Sequence, residues 1–298
     1  MVRRGDVVME FGKFVLPKAE LQPIYRKVGD TYIEISDRRA VVGENGKVYD
    51  IVSDKYKLVQ HEEVKEIVDK IVEEMKLKSA VKIPKISIDG ATFFYNVIID
   101  RKAIEDDWLD LGFRVTNSYD RSLGVNVTGY IIRLACTNGL VIGEKLFGRK
   151  IKHMRPLVEL DYKLLKEAIE TVIENIMKVL DVIEMARKKT VSVWEIVHFI
   201  ETEYKNMPRA KRILYSRMRR KIGDEIDKVV KAYQLMKKLK KKEERKQLIE
   251  KYDMPVNLWE AINVVTEYTT HQLERRNPQI AHSISKKAGE LLLLAKGD

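Results

Sequence analysis

The sequence predicts an α+β protein, with an N-terminal antiparallel sheet and a helix packed on it, followed by a mainly α-helical C-terminal half. Three observations point there. Before about residue 156, apolar and polar residues alternate with the period of a half-buried strand. After it, apolar residues recur at steps of three and four, the period of a helix. Glycine punctuates the first half and nearly vanishes from the second. The natural division is 1–155 and 156–298, and with no Gly/Ser linker between them the halves should pack on each other.

In chain order, "RRAVVGENGKVYDIVS" reads as a hairpin with Asn45-Gly46 in a type I′ turn, and "DKYKLVQ" as a further short strand. From His61 to about Leu77, Val64, Ile67, Val68, Ile71 and Met75 fall on one helical face, with Glu62 and Glu63 in the first turn, where acids complement the helix dipole. "AVKIPKISID", "ATFFYNVIID", a connection holding Trp108, "DLGFRVT", "LGVNVT" and "YIIRLACT" supply further strands. Leu111, Phe113 and Val115 oppose Arg114 and Thr116, and Val125 and Val127 oppose Asn126 and Thr128, so the sheet is expected to keep one wet face. The turn-rich Asn117-Ser118-Tyr119-Asp120 closes one hairpin, and Thr137-Asn138-Gly139 ends the strand carrying Arg133.

The second half reads as a series of helices. Between Asp161 and Lys188, Ile169, Val172, Ile176, Val179, Ile183 and Ala186 form a heptad-like seam, widened by Leu165, Ile173, Met177 and Leu180 into a stripe suited to multi-helix packing, within the chain or between copies in a homo-oligomer. Further helices fall on "VSVWEIVHFIETEY", "PRAKRILYSRMRRKI", "DEIDKVVKAYQLMKKLKKKEERKQLIEKY", "VNLWEAINVVTEYTTHQLERR" and "IAHSISKKAGELLLLA", with Pro208, Pro255 and Pro278 at their boundaries.

Composition narrows the class. The single cysteine leaves no intrachain disulfide and no multi-cysteine zinc site, as suits a reducing compartment. Glu10 and Lys13 break the only early apolar run, so a cytoplasmic protein without signal peptide or membrane span is expected. The 34% charged content, rich in Lys and Glu, resembles that of thermophile proteins. The net charge is +11, and residues 205–251 alone hold eighteen Lys or Arg against six Asp or Glu. Such a concentration attracts polyanions, nucleic acid first among them.

Chemical motifs are few. "GENGKV" lacks the spacing and the Ser/Thr of a P-loop, and no GxGxxG follows a strand, so no nucleotide cofactor is expected. Cys136 alternates into the core rather than into an exposed, activating pocket beside His153. Glu267 and His271, four apart on one helix, with His282 further on, fall short of a metal-ligand set. Glu105, Asp106, Asp107 and Asp110 read as a solvated acidic loop, or as the metal-binding cluster of a nuclease.

"VTNSYDRS", "RLACTNGL" and the downstream His153 together resemble the series Asn-Ser-Tyr-Asp-Gly-Ser, Arg-Leu-Val-Cys-Thr-Asn-Gly and His of a large uncharacterised family of phage- and plasmid-encoded proteins. "YDIVSDKYKLVQHEEV" and "LWEAINVVTEYTTHQ" are similar to its flanking segments, and the resemblance runs from about residue 38 to 275. Arg121 stands where the family has Gly. The resemblance implies an accessory role in a mobile genetic element and no known reaction; the layout of sheet and basic helices is also similar to that of single-strand annealing proteins, an analogy of architecture only.

Taken together, these features predict a protein of a virus, plasmid or integrated element that binds nucleic acid in replication or recombination, with single-stranded DNA favoured over RNA. Its contacts would be Lys237, Lys238, Lys240, Lys241, Lys242, Arg245 and Lys246 with Arg217, Arg219 and Arg220 on the backbone, Arg114, Asn117, Asn126 and Arg133 on the sheet face, and Tyr119 stacked on a base. A metal-dependent nuclease and a protein-binding anti-defence factor remain as alternatives.

Overall fold

The computed structural model describes residues 15–105, 107–135, 138–143, 162–274 and 276–296. Strands β1 (Ala19–Val28), β2 (Thr31–Gly43) and β3 (Val48–Ser53) form a small antiparallel sheet. Helix α1 (His61–Glu74) follows, and β4 (Val81–Ile86), β5 (Thr92–Ile104), β6 (Asp107–Ser118), β7 (Asn126–Arg133) and β8 (Asn138–Ile142) build the main sheet, antiparallel throughout and in sequential order. The helical half holds α2 (Tyr162–Lys188), α3 (Val193–Glu203), α4 (Pro208–Ile222), α5 (Glu225–Met236), α6 (Lys242–Tyr252), α7 (Leu258–Tyr268), a π turn (Thr269–Leu273), α8 (Pro278–Glu290) and α9 (Leu293–Lys296). The short strands β9 (Thr190–Ser192) and β10 (Pro255–Asn257) pair between them. This is the α+β layout that the change of period predicts.

Both faces of the main sheet are covered, where the alternation predicts one wet face. On one side Phe93, Tyr95, Val97, Leu111, Phe113, Val115 and Val127 share a core with Val64, Val68 and Ile71 of α1 and with the seam of α2, in which Ile169, Val172, Ile176, Val179, Ile183 and Ala186 are all buried. That core runs without a break from the sheet into α3–α8. On the other side lie Phe94, Asn96, Arg114, Thr128, Tyr130 and Val141, covered by α8 and the end of the π turn. Every residue of β6 except Trp108 is buried.

Several local expectations change. Asn45 does not take a positive φ; Gly46 does (φ +75°), Gly46 N donates to Gly43 O, and Gly43 N donates to Lys47 O. This is a type I turn closed by a glycine bulge, with Asn45 Oδ1 accepting from Lys47 N. "DKYKLVQ" forms no strand: its Tyr56 and Leu58 pack onto the small cluster of Val41, Val52 and Tyr119, and Gln60 caps α1, its backbone N–H donating to Glu63 Oε2 at 2.9 Å. Trp108 lies within β6, opposite Ala103 of β5. Asn138-Gly139 opens β8 instead of ending β7. The basic stretch after Glu225 is two helices, Glu225–Met236 and Lys242–Tyr252, and not one. Arg121 takes the left-handed conformation that glycine favours (φ +55°), with its guanidinium on Asp50.

Gly112 marks the closest approach in the main sheet. A Cβ there would lie 1.9 Å from Val97 O on the neighbouring strand. Gly112→Ala is therefore expected to lower stability by about 1–3 kcal/mol or more through overpacking, measured as a fall in Tm.

Candidate nucleic-acid interface

The cations singled out in the sequence divide into buried and exposed groups. Arg114 is only 1% exposed. Its Nε donates to Asn96 Oδ1 at 2.6 Å, its Nη1 lies 2.6 Å from Glu274 Oε1, and its guanidinium sits over the rings of Tyr130 (4.0 Å) and Phe94 (4.7 Å). Burial pushes the Glu274 carboxyl up, but Arg114 and Lys85 outweigh it and hold the group below its usual range. Arg133 cannot join this face. Because β7 runs unbroken through Gly129, Asn126 and Thr128 point to one side and Arg133 to the other, where it pairs with Asp107 and, at 3.5 Å, with Glu260. Asn126 is half-buried.

Asn117 and Tyr119 form a staple between the two sheets. Asn117 Nδ2 donates to Val59 O (3.1 Å) and to His61 Nδ1 (3.0 Å), which leaves His61 Nε2–H to donate to Gly90 O (3.2 Å). Tyr119, fully buried, stacks on His61 with ring centroids 3.8 Å apart; its hydroxyl donates to Pro17 O and accepts from His61 N. Burial drives the His61 pKa down to about 4, so the ring is neutral. The expected strand-binding face is thus interior: Arg114, Asn117 and Tyr119 are buried and bonded to other parts of the protein, and Tyr119 offers no ring to a base.

The acidic cluster is likewise engaged. Asp107 lies between Arg133 and Arg187, Glu105 binds Arg187, and Asp110 binds Arg101 at 2.6 Å. Glu267 pairs with Arg217 at 3.3 Å, and His282 is buried, its pKa pushed down to about 3 by desolvation and by Arg114 and Lys286. No group of three His, Cys, Asp or Glu suited to a metal ion occurs among the described residues. Asp106, Cys136 and His153 lie outside them.

The exposed cations gather on α4–α6. Pro208 starts α4 at its first turn and Gly223 (φ +90°) ends it. With Ala210, Leu214 and Met218 buried, Arg209, Arg212, Ser216 and Arg220 fall on the outer face at helical spacing. On α5, Ile226, Val229 and Tyr233 are buried, and Lys228 and Lys231 face out. Lys238, Lys240, Lys241 and Lys242 occupy the bend, and α6, with no buried residue, exposes Arg245 and Lys246. Arg219 pairs with Asp227, Lys237 with Glu201 (3.6 Å), Lys241 with Glu244 (3.5 Å) and Lys246 with Glu250 (3.7 Å). Lys205, Arg209, Arg212, Arg220, Lys231, Lys238, Lys240, Lys242, Arg245 and Lys251 are exposed with no acid within 4 Å among the described residues. Arg209, Arg212 and Lys231, not among the contacts expected from the sequence, lie N-terminal to the lysine-rich run 237–246, and helical spacing alone sets them on the outer faces.

A protein-family model matches residues 48–289, most of the chain. The chain belongs to the family described as Domain of unknown function (DUF932). The DUF932 match begins at β3 and ends in α8, so it takes in the main sheet, the staple and the basic helices and leaves β1 and β2 outside. Searches of curated proteins and of solved structures give no match. No helix among the described residues is long and apolar enough to cross a membrane.

Proposed function

We propose that this DUF932 protein binds nucleic acid, with single-stranded DNA as the preferred form, through the outer cations of α4–α6 and not through the sheet. The observation that carries the reading is the set of ten exposed cations that have no acidic partner among the described residues, in a segment whose charge accounts for the whole excess of the chain. Lysines and arginines of this kind displace condensed counterions from a phosphate backbone and read no sequence. The exposed pairs Lys241–Glu244 and Lys246–Glu250 do little to withhold their lysines, since surface ion pairs are worth about 0–1 kcal/mol. The resemblance of the Asn117–Ser122 and Arg133–Leu140 motifs to phage- and plasmid-encoded proteins supports a place in the replication or recombination of a mobile element.

Binding to a labelled oligonucleotide across a salt series tests the reading. Affinity is expected to fall linearly on a log–log plot, and Lys238→Glu/Lys240→Glu/Lys242→Glu to weaken binding equally for all sequences, lowering the slope by about 2 if each lysine meets one phosphate of a single strand. A flat salt response, or unchanged binding in the triple variant, rejects it. Metal-dependent cleavage of the oligonucleotide would instead favour a nuclease.

A further inference from the structure

Beyond Pro23, β1 and β2 project as a two-stranded arm. Its side chains are exposed on both faces from Tyr25 to Val28 and from Thr31 to Glu34, and only Ile24 and Ile35 are half-buried. Gly29 (φ +60°) supplies the first position of the two-residue turn between Val28 and Thr31. Gly29-Asp30, between "YRKV" and "TYIEI", is a signal from which this hairpin could have been expected, though the strands expected from the sequence begin only at Arg38.

Three properties make the arm incomplete as it stands. A lone two-stranded ribbon is marginal in water, yet this one exposes Tyr25 (52%), Val28 (47%), Tyr32 (69%) and Ile33 (44%). Both of its edges are open among the described residues: β1 is an edge strand, and β3 pairs with β2 only from Arg38 to Val42. The protections that edge strands normally carry, proline and a bulge, sit at Pro23 and the register shift between Pro23 and Tyr25, at the base of the arm and not along it.

Charge indicates what completes it. The outer part of β1 carries Arg26 and Lys27 and no acid; the turn and outer β2 carry Asp30, Glu34 and Asp37 and no base. One open edge is basic and the other acidic. A phosphate backbone would be repelled by the second, whereas the two edges complement each other between molecules. We propose that the β1–β2 arm joins copies of this chain head to tail, the basic β1 edge of one copy adding as a strand beside the acidic β2 edge of the next. Backbone hydrogen bonds would supply the adhesion and the charges the pairing of unlike edges. Tyr25 and Tyr32 share one face of the ribbon and Val28 and Ile33 the other, because Tyr25 opposes Glu34 and Arg26 opposes Ile33. Both faces would extend from copy to copy. Glu34 already contacts Arg39 at 2.9 Å and Asp37 contacts Arg38 at 3.6 Å, but these are exposed pairs that exchange at little cost. Such a contact is heterologous, so assemblies grow into a ring or a filament instead of stopping at a two-fold dimer.

Sedimentation velocity on the full chain over a micromolar concentration range tests this without any ligand, and so separately from nucleic-acid binding. The wild type is expected to sediment above the monomer. Arg26→Glu/Lys27→Glu, with two acidic edges, and Glu34→Lys/Asp37→Lys, with two basic edges, are each expected to be monomeric, with circular dichroism unchanged. Mixing the two variants should restore assembly, since the acidic β1 edge of one then meets the basic β2 edge of the other. A monomeric wild type, or two variants that do not assemble on mixing, overturns the proposal. Variants that match a monomeric wild type in mass but lose oligonucleotide binding would overturn it too, assigning the arm to nucleic acid.

Discussion

Glu274→Leu is expected to destabilise the protein by about 3–5 kcal/mol, because it strands the Arg114 guanidinium inside the molecule. Arg114 is the largest of the fully buried side chains among the described residues, and its charge is answered by Glu274 at 2.6 Å in a site only 8% exposed on the acid's side chain. Removing one member of such a pair leaves a charge with its desolvation uncompensated, whereas removing both leaves no buried charge unanswered on the sheet, only the neutral Asn96 amide without its partner and Lys85, which is partly exposed. The double variant Arg114→Met/Glu274→Leu keeps the packing against Phe94 and Tyr130 and is expected to be more stable than either single variant. Urea unfolding of the four proteins gives the coupling directly. A loss below about 1 kcal/mol in Glu274→Leu, or equal losses in the single and double variants, would show that the pair is not confined as the structure has it.

The buried pair also explains why the sheet was misread. Alternation tells which residues share a face and is silent on what covers that face, since Arg114, Thr116 and Thr128 look the same whether water or α8 lies above them. The cover comes from Glu274 and His282, far along the chain, and a single sequence gives no sign of their pairing with β5–β7. With Cys136 expected in the core, alternation turns Arg133 to the same face as Arg114; the unbroken ladder from Leu109↔Arg133 to Thr116↔Asn126 puts it on the opposite one. By contrast, α2 was legible to within a residue of its start, because its seam from Leu165 to Ala186 is long and its period unambiguous. The exposure of Lys238, Lys240, Lys242 and Arg245 was legible for a related reason: among the described residues no acid lies within 4 Å of them, and a dense run of charge stays in water. Asn117 and Tyr119 carried a chemical look that belongs to a staple, since Asn, Tyr and His serve in buried hydrogen-bond networks as readily as in sites.

That staple and its counterpart under α8 make the protein acid-sensitive. An unfolded chain protonates its histidines near pH 6.5, while His61 resists until about pH 4 and His282 until about pH 3. Between those limits the unfolded state binds more protons, so stability falls as pH falls. For His61 alone the loss from pH 6.5 to 4 is about 3 kcal/mol at 1.36 kcal/mol per unit, and His282 adds as much over the same range and more down to about pH 3. Glu274, with its carboxyl held below the usual range, contributes stability that is complete above the unfolded carboxylate pKa and is lost as pH falls further. The three effects share a sign, and together they rival the about 5–15 kcal/mol by which proteins are ordinarily stable. Wild-type protein is therefore expected to unfold cooperatively between about pH 6 and pH 4, followed by far-ultraviolet circular dichroism. His61→Gln removes one of the two histidine protonations and should flatten the dependence of stability on pH between 6.5 and 4, even where the substitution lowers the stability at pH 7. A wild type whose denaturant midpoint stays constant from pH 7 to pH 4 would show that neither imidazole is held neutral in the folded chain.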